Sequence, residues 1–373
     1  MQEKNHGARV LCGLFCGFLG LFFLLRLALP VRDFSENENR KLAQPPKLTL
    51  SGLFSGSFTQ QFEKYLTDQF PFRDRWIDLK ARLERLSGRT ENNNVFFCGG
   101  DTLITRFSPP EEAMVSDAIQ AVLTLRGQTE AQVCLALIPS AAAVWSDRLP
   151  ANANTADQQA LIDRIYAACG GLCADISGAL TDHAAEDIFY RTDHHWTTLG
   201  AYYGYAETAR ALGLTPTPLA AFTPETVSRD FYGTVYSSSG VRWVAPDSID
   251  RYVPDTGVTV TRYESGEGEQ GAVYHPDKLE TKDQYAYFLG GNTPRLRIDT
   301  GSSGGRLLVL RDSYADCELP FFFAHYSEIH VLDLRYYRQS IRDYMTDNGI
   351  DTVLVSYSLS NFVSDTSVFL MGT

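Results

Sequence analysis

Tyr190-Arg191-Thr192-Asp193-His194-His195-Trp196 sets a carboxylate, two imidazoles and an indole in one short segment, and Ser313 stands far downstream in Asp312-Ser313-Tyr314-Ala315. These residue types can carry out acyl transfer. A serine hydroxyl is a weak nucleophile until a base within hydrogen-bond reach takes its proton, and a third group must hold that base in the right tautomer. Asp193 and His195 are the candidates for the orienting acid and the base, because residues two apart in an extended segment share a face. The same rule directs His194 elsewhere and argues against both histidines binding one metal, so no metal site is expected. The competing reading is structural: Asp193 caps the following helix, and the histidines are surface or core side chains.

The rest of the chain must bring Ser313 to this segment. From Asn94 onward, continuous apolar runs at residues 133–138, 172–176, 306–310, 329–334 and 352–356 alternate with helical periodicity at 114–125, 156–168, 197–212 and 341–345. Such alternation predicts a parallel sheet covered by helices on both faces. Ser313 follows one of these runs and precedes a helix-compatible segment, which places it outside the carboxyl edge of the sheet, where open α/β sheets bind ligands. The amides that follow, beginning with Tyr314, can face a developing oxyanion. Ser358 and Ser360, after the last run, fit that placement less well, and Asp-Ser at a strand end is also a common helix N-cap. Residues 214–303 break the rhythm with many Gly, Pro, Ser and Thr and short alternating runs such as 258–263, and are read as a β-rich insertion. Its loops at 233–240 and 287–292 are candidates for lying near the site.

The 373 residues carry a net charge of −12 with the acids spread out, which leaves no electrostatic footprint for nucleic acid. Residues 10–25 are unbrokenly apolar and 27–29 extend the run past Arg26 to a bilayer-spanning length. No small-x-small cleavage pattern precedes Pro30, so residues 10–29 are expected to be an uncleaved transmembrane signal-anchor after a cytoplasmic tail, 1–9, with a cleaved signal peptide as the alternative. Residues 30–90 read as a stalk and juxtamembrane helices, with helical spacing on either side of a break at Pro71, and residues 91–373 as the main domain. Cys98, Cys134, Cys169, Cys173 and Cys317 lie outside the apolar segment. Cys169 and Cys173 either close a small disulfide loop or remain thiols.

Asp193-His194-His195-Trp196 resembles the motif that names the bacterial DHHW proteins. The resemblance extends to Glu36, Asn37 and Arg40, to Asp68 and Phe70-Pro71-Phe72-Arg73, to Phe288-Leu289-Gly290-Gly291-Asn292, to Asp312-Ser313-Tyr314-Ala315 and to Asp333-Leu334-Arg335-Tyr336-Tyr337. More broadly the chain is similar to the alginate O-acetylation proteins of the SGNH-hydrolase-like superfamily. That resemblance implies an SGNH-like α/β fold with elements in circularly permuted order, since the Asp-x-His half precedes the Ser half. It implies Ser313 as nucleophile, His195 as general base and Asp193 as its partner in a membrane-anchored, extracytoplasmic O-acetyltransferase acting on a cell-wall or exported polysaccharide. By the permuted topology Asn361 is the oxyanion asparagine and Asn292 its competitor, while Arg311 stands where many SGNH proteins have Gly. Trp196 either stacks on a sugar ring or closes the core. No cofactor is implied. The implied partners are a glycan acceptor and a membrane-bound O-acyltransferase that passes acetyl groups across the bilayer. A carbohydrate acetyl esterase with the same triad and a non-catalytic glycan-binding or assembly protein are the alternatives.

Overall fold

The computed structural model describes residues 2–373, in two compact units. One runs through Arg89 and takes in Gly240–Arg242; the other comprises Thr90–Ser239 and Trp243–Thr373.

The second unit is built on a sheet of eight strands among the described residues. In chain order these are β1 (Gln132–Ile138), β2 (Leu172–Cys173), β3 (Thr259–Tyr263), β4 (Glu269–Gly271), β5 (Arg295–Asp299), β6 (Arg306–Arg311), β7 (Glu328–Leu332) and β8 (Thr352–Ser358). They lie side by side as β4-β3-β5-β7-β6-β8-β1-β2. From β7 to β2 every pairing is parallel. Alternation along β1 sends Cys134, Ala136 and Ile138 into one core and Val133, Leu135 and Leu137 into the other. Helices Ile176–Asp182 and Thr198–Ala211 cover the first face, and Glu112–Gly127, Gln158–Cys169 and Ile341–Asn348 the second. Each fully buried Val, Leu or Ile contributes roughly 1.5–3 kcal/mol, which makes this two-faced core a rigid base for the loops at its edge.

The expected all-parallel sheet is in fact mixed. β5 runs antiparallel to β7, and β3 and β4 continue antiparallel beyond it, so the insertion widens the main sheet. The reason is visible in β5, where half-exposed Arg295, Arg297 and Asp299 alternate with buried Leu296 and Ile298. That is the pattern of an antiparallel strand with one wet face. The run at 172–176 also shortens: Asp175 accepts the Gly178 amide at 2.9 Å and starts a helix at Ile176. Cys169 and Cys173 are both free thiols.

In the first unit, helix Gln2–Ala28 contains a 22-residue apolar stretch, Gly7–Ala28. At 1.5 Å per residue it is about 33 Å long, a length and composition shared by single-pass anchors and signal sequences. Helices Ser57–Asp68 and Arg73–Leu86 are separated by a turn in which Phe72 adopts φ 60°. Two of the motif residues clamp this turn to the preceding segment. Arg40 reaches Asp68 with both guanidinium nitrogens, at 2.9 and 2.6 Å, and these bonds hold the Asp68 pKa down to about 2.

Candidate active site

β6 delivers Arg311 to the edge of the sheet, and Asp312 then caps the short turn Ser313–Asp316 by accepting the Tyr314 amide at 3.0 Å. The other Asp312 oxygen gathers the Ser358 amide at 2.9 Å, the Ser358 hydroxyl at 2.7 Å and Asn361 Nδ2 at 2.8 Å. One carboxylate thus ties the loop after β6 to the loop after β8.

Ser313 Oγ lies 2.8 Å from His195 Nε2, and His195 Nδ1 lies 2.5 Å from Asp193 Oδ1. Asp193 Oδ1 also accepts the His195 amide at 3.0 Å, while Oδ2 accepts the Thr234 amide at 2.6 Å and the Thr234 hydroxyl at 2.8 Å. Burial by itself disfavours the Asp193 carboxylate, but His194 and His195 and the hydrogen bonds from His195 and Thr234 hold its pKa well below the ordinary range. An ionised Asp193 can only accept, so His195 Nδ1 carries the proton and donates it to Oδ1, and the Nε2 lone pair faces Ser313. The His195 ring stacks on Tyr285 with centroids 3.8 Å apart and planes 8° from parallel. Tyr285 in turn donates its hydroxyl to the Ser313 carbonyl at 3.0 Å, so one phenol supports both partners.

Several expected roles change. The Asp193 segment is a tight loop closed by a bridge between Phe189 and Trp196, not an extended strand. The two-apart rule therefore fails for His194, whose ring lies 3.9 Å from that of His195 and whose Nδ1 is 2.6 Å from Thr234 Oγ1. The ligand atoms of Asp193, His194 and His195 come within 4.8 Å of one another, so opposed faces no longer argue against a shared metal. Trp196 is fully buried against Gly204 and donates its indole N–H to the Tyr314 carbonyl at 2.8 Å; no face is open to a sugar. Tyr314 spends its amide on Asp312 and its phenol on the His194 carbonyl, which removes it as an oxyanion donor. Asn292 turns its carbonyl oxygen to Arg335 at 3.0 Å and Arg311 at 3.5 Å. Asn361 is held at Asp312 beside Ser313, with one of its two amide hydrogens engaged.

Sequence reasoning missed Thr234 and Tyr285 as partners of Asp193 and His195. The available signal was Gly233: a Cβ there would lie 2.2 Å from both Cβ and Oδ2 of Asp193, so only glycine lets the Thr234 loop close on the carboxylate. Gly233→Ala is expected to cost about 1–3 kcal/mol by overpacking, read as a lower urea midpoint.

Beneath the turn, Arg311 is wholly buried, 3.2 Å from Asp316 and 3.6 Å from Asp333. Burial raises the Asp316 pKa to about 7 in spite of Arg311, and raises Glu318, which accepts the Ser356 hydroxyl at 3.1 Å, to about 8. The unfolded carboxyls titrate near 4. The stabilisation from holding these groups protonated is therefore complete below that pH and is lost as pH rises to about 8. Glu318→Gln is expected to flatten the decline by on the order of a few kcal/mol, checked by urea unfolding at acidic and mildly alkaline pH.

A mixed α/β sheet with serine, histidine and aspartate hydrogen-bonded in series at its carboxyl edge defines the structural class. The chain belongs to the DHHW family, whose model, described as DHHW protein, matches residues 106–332. A crystal structure of a DHHW family protein from Eubacterium siraeum is 25% identical, with 75% of this chain and 95% of that chain covered and a TM-score of 0.66. PatB1 of Bacillus cereus, solved with a sulfonyl adduct, shares the fold at 22% identity and a TM-score of 0.60, over 74% of this chain and 98% of that chain. No curated protein matches the chain.

Proposed function

We propose that this chain is a membrane-anchored, extracytoplasmic O-acetyltransferase acting on a cell-wall or exported polysaccharide, with Ser313 as nucleophile, His195 as general base and Asp193 as its orienting partner. The observation that carries the reading is the unbroken series from Asp193 through His195 to Ser313, at 2.5 and 2.8 Å. Ser313 Oγ attacks the acetyl carbonyl carbon as its proton passes to His195 Nε2. The tetrahedral intermediate collapses when that proton reaches the leaving oxygen, which leaves an acetyl ester on Ser313. A sugar hydroxyl then gives its proton to His195 and attacks the ester carbon, and the second tetrahedral intermediate collapses by breaking the bond to Ser313 Oγ, which takes that proton back from His195 as the acetylated sugar leaves. Asp193 stabilises the imidazolium in both halves.

The oxyanion donors in this reading are the Ser313 amide, at the first position of its turn where no intrahelical acceptor exists, and the second amide hydrogen of Asn361. The order of elements, with Asp193 and His195 ahead of the strand that leads to Ser313, is read as a circular permutation of the SGNH arrangement. Gly7–Ala28 serves as the membrane anchor, and the acetyl donor is a membrane-bound O-acyltransferase partner. The test is to incubate the full chain in detergent micelles with nitrophenyl acetate, with and without cello- and chito-oligosaccharides, beside Ser313→Ala. Acetylated sugar that disappears in the variant supports the proposal. Acetate released to water alone makes the protein an esterase, and activity that survives the substitution overturns both readings.

A further inference from the structure

Among the described residues, every large apolar side chain that is exposed, apart from Leu123 and Tyr336, belongs to the first unit. Outside the apolar stretch Gly7–Ala28 the exposed residues follow a pattern. Helix Arg73–Leu86 buries Ala81 and half-buries Ile77, Asp78 and Glu84 on one side, while Trp76, Leu79, Leu83 and Leu86 recur at the spacing of a single stripe on the other. That stripe is open: exposure rises along it from 41% at Trp76 to 84% at Leu86. Phe62 and Leu66 on Ser57–Asp68, and Leu50, Leu53 and Phe54 on Leu50–Ser55, are exposed as well, Phe54 to 91%. So much apolar surface in one stretch marks a face that is covered in use.

Contacts with the apolar stretch set the level at which this face sits. Phe22 stacks on Phe70 with ring centroids 5.2 Å apart and planes 9° from parallel, and its ring is 5.9 Å from that of Trp76. Phe22 stands six residues before the end of Gly7–Ala28, about 9 Å along the helix. With Gly7–Ala28 in a bilayer, Phe70 and the start of the Trp76 stripe lie within the depth of about 5–10 Å to which interfacial amphipathic helices bury their apolar faces. One turn nearer the end, Arg26 hydrogen-bonds the Tyr65 hydroxyl, its guanidinium 4.9 Å from the Tyr65 ring centroid. A snorkelling cation beside a phenol belongs at the headgroup boundary. Charge points the same way. Residues 73–89 hold six basic and three acidic side chains in a chain whose net charge is −12, which suits anionic lipid headgroups.

We propose that Leu50–Ser55, Ser57–Asp68 and Arg73–Leu86 form a platform seated in the headgroup layer of an anionic bilayer, with the stripe from Trp76 to Leu86 turned to the acyl chains. This segment then lies on the membrane and does not stand off it as a stalk. The inference rests on Gly7–Ala28 being the membrane anchor of the proposed function, and its test separates the two. The photoreactive residue p-benzoylphenylalanine is placed singly at Leu83 or Leu86 on the stripe, at Arg85 on another face, and at Phe15 within the apolar stretch, all of them exposed positions. Full chain is reconstituted in vesicles of phosphatidylcholine and phosphatidylglycerol and irradiated, and its peptides are weighed for covalently attached lipid. Lipid adducts at Leu83 and Leu86 are expected at a yield at least about tenfold above that at Arg85, with phosphatidylglycerol enriched among them over its share of the vesicle. Adducts at Phe15 with none on the stripe, equal yields at Leu83 and Arg85, or cross-links from Leu83 and Leu86 to a second protein chain in place of lipid would each overturn the platform and leave the anchor standing. Phosphatidylglycerol at no more than its bulk share would overturn the anionic preference. An absence of lipid adducts at Phe15 would instead overturn the anchor, and the platform with it.

Discussion

Ser313→Ala is expected to lower turnover of an aryl acetate by at least about 10³-fold while leaving the urea midpoint nearly unchanged. The hydroxyl's hydrogen bond is to His195 Nε2 at 2.8 Å, whereas the turn that carries it is fixed by Asp312 and by Tyr285 at the Ser313 carbonyl. Removing one oxygen therefore deletes the nucleophile without loosening the loop. Because Ser313 and His195 would act as a unit, the double variant Ser313→Ala with His195→Ala should be hardly slower than either single variant. Multiplying losses would mean that the two residues act independently and would contradict the series.

Asp193→Asn should be nearly as severe, at about 10³–10⁴-fold on the same ester, and unlike Ser313→Ala it should also lower stability. Asp193 accepts from four donors, two from His195 and two from Thr234. An asparagine must turn its NH₂ toward one of these pairs, and each pair includes a backbone N–H that cannot reverse. If the NH₂ faces His195, Nδ1 becomes the acceptor and Nε2 carries the proton, so the ring cannot take one from Ser313. If it faces Thr234, a buried amide opposes a buried amide. Kinetics within tenfold of the parent would show that Asp193 does not set the tautomer.

Much of this architecture is legible in the residues themselves. Strands buried on both faces write continuous apolar runs, so β1, β6 and β8 are plain in the sequence, and a serine just past such a run has to lie at the sheet edge. The strand Arg295–Asp299 is not singled out in the sequence, because its alternation falls within a region read as an insertion and nothing local marks its place in the main sheet. The geometry of His194 was illegible for a different reason. Its direction depends on the loop closed between Phe189 and Trp196, which is a tertiary bridge and not a local propensity. Thr234 and Tyr285 reach the site from 41 residues beyond Asp193 and 28 residues before Ser313, and side-chain pairing over such distances leaves no periodic trace. Gly233 is the exception, since a glycine pressed against Asp193 records a close approach that a larger residue would forbid.

The central claim is that Ser313 carries the acetyl group between donor and acceptor. The most direct measurement is intact-mass and peptide analysis of the full chain after acid quench during incubation with an aryl acetate and no glycan. One acetyl group on the peptide containing Ser313, absent from Ser313→Ala and discharged when a productive oligosaccharide is added, is the expected result. An acetyl group on any other residue that is competent to reach the sugar, or turnover with no acyl-enzyme in the quenched sample and none in a slow-discharging Asn361→Ala background, would contradict it.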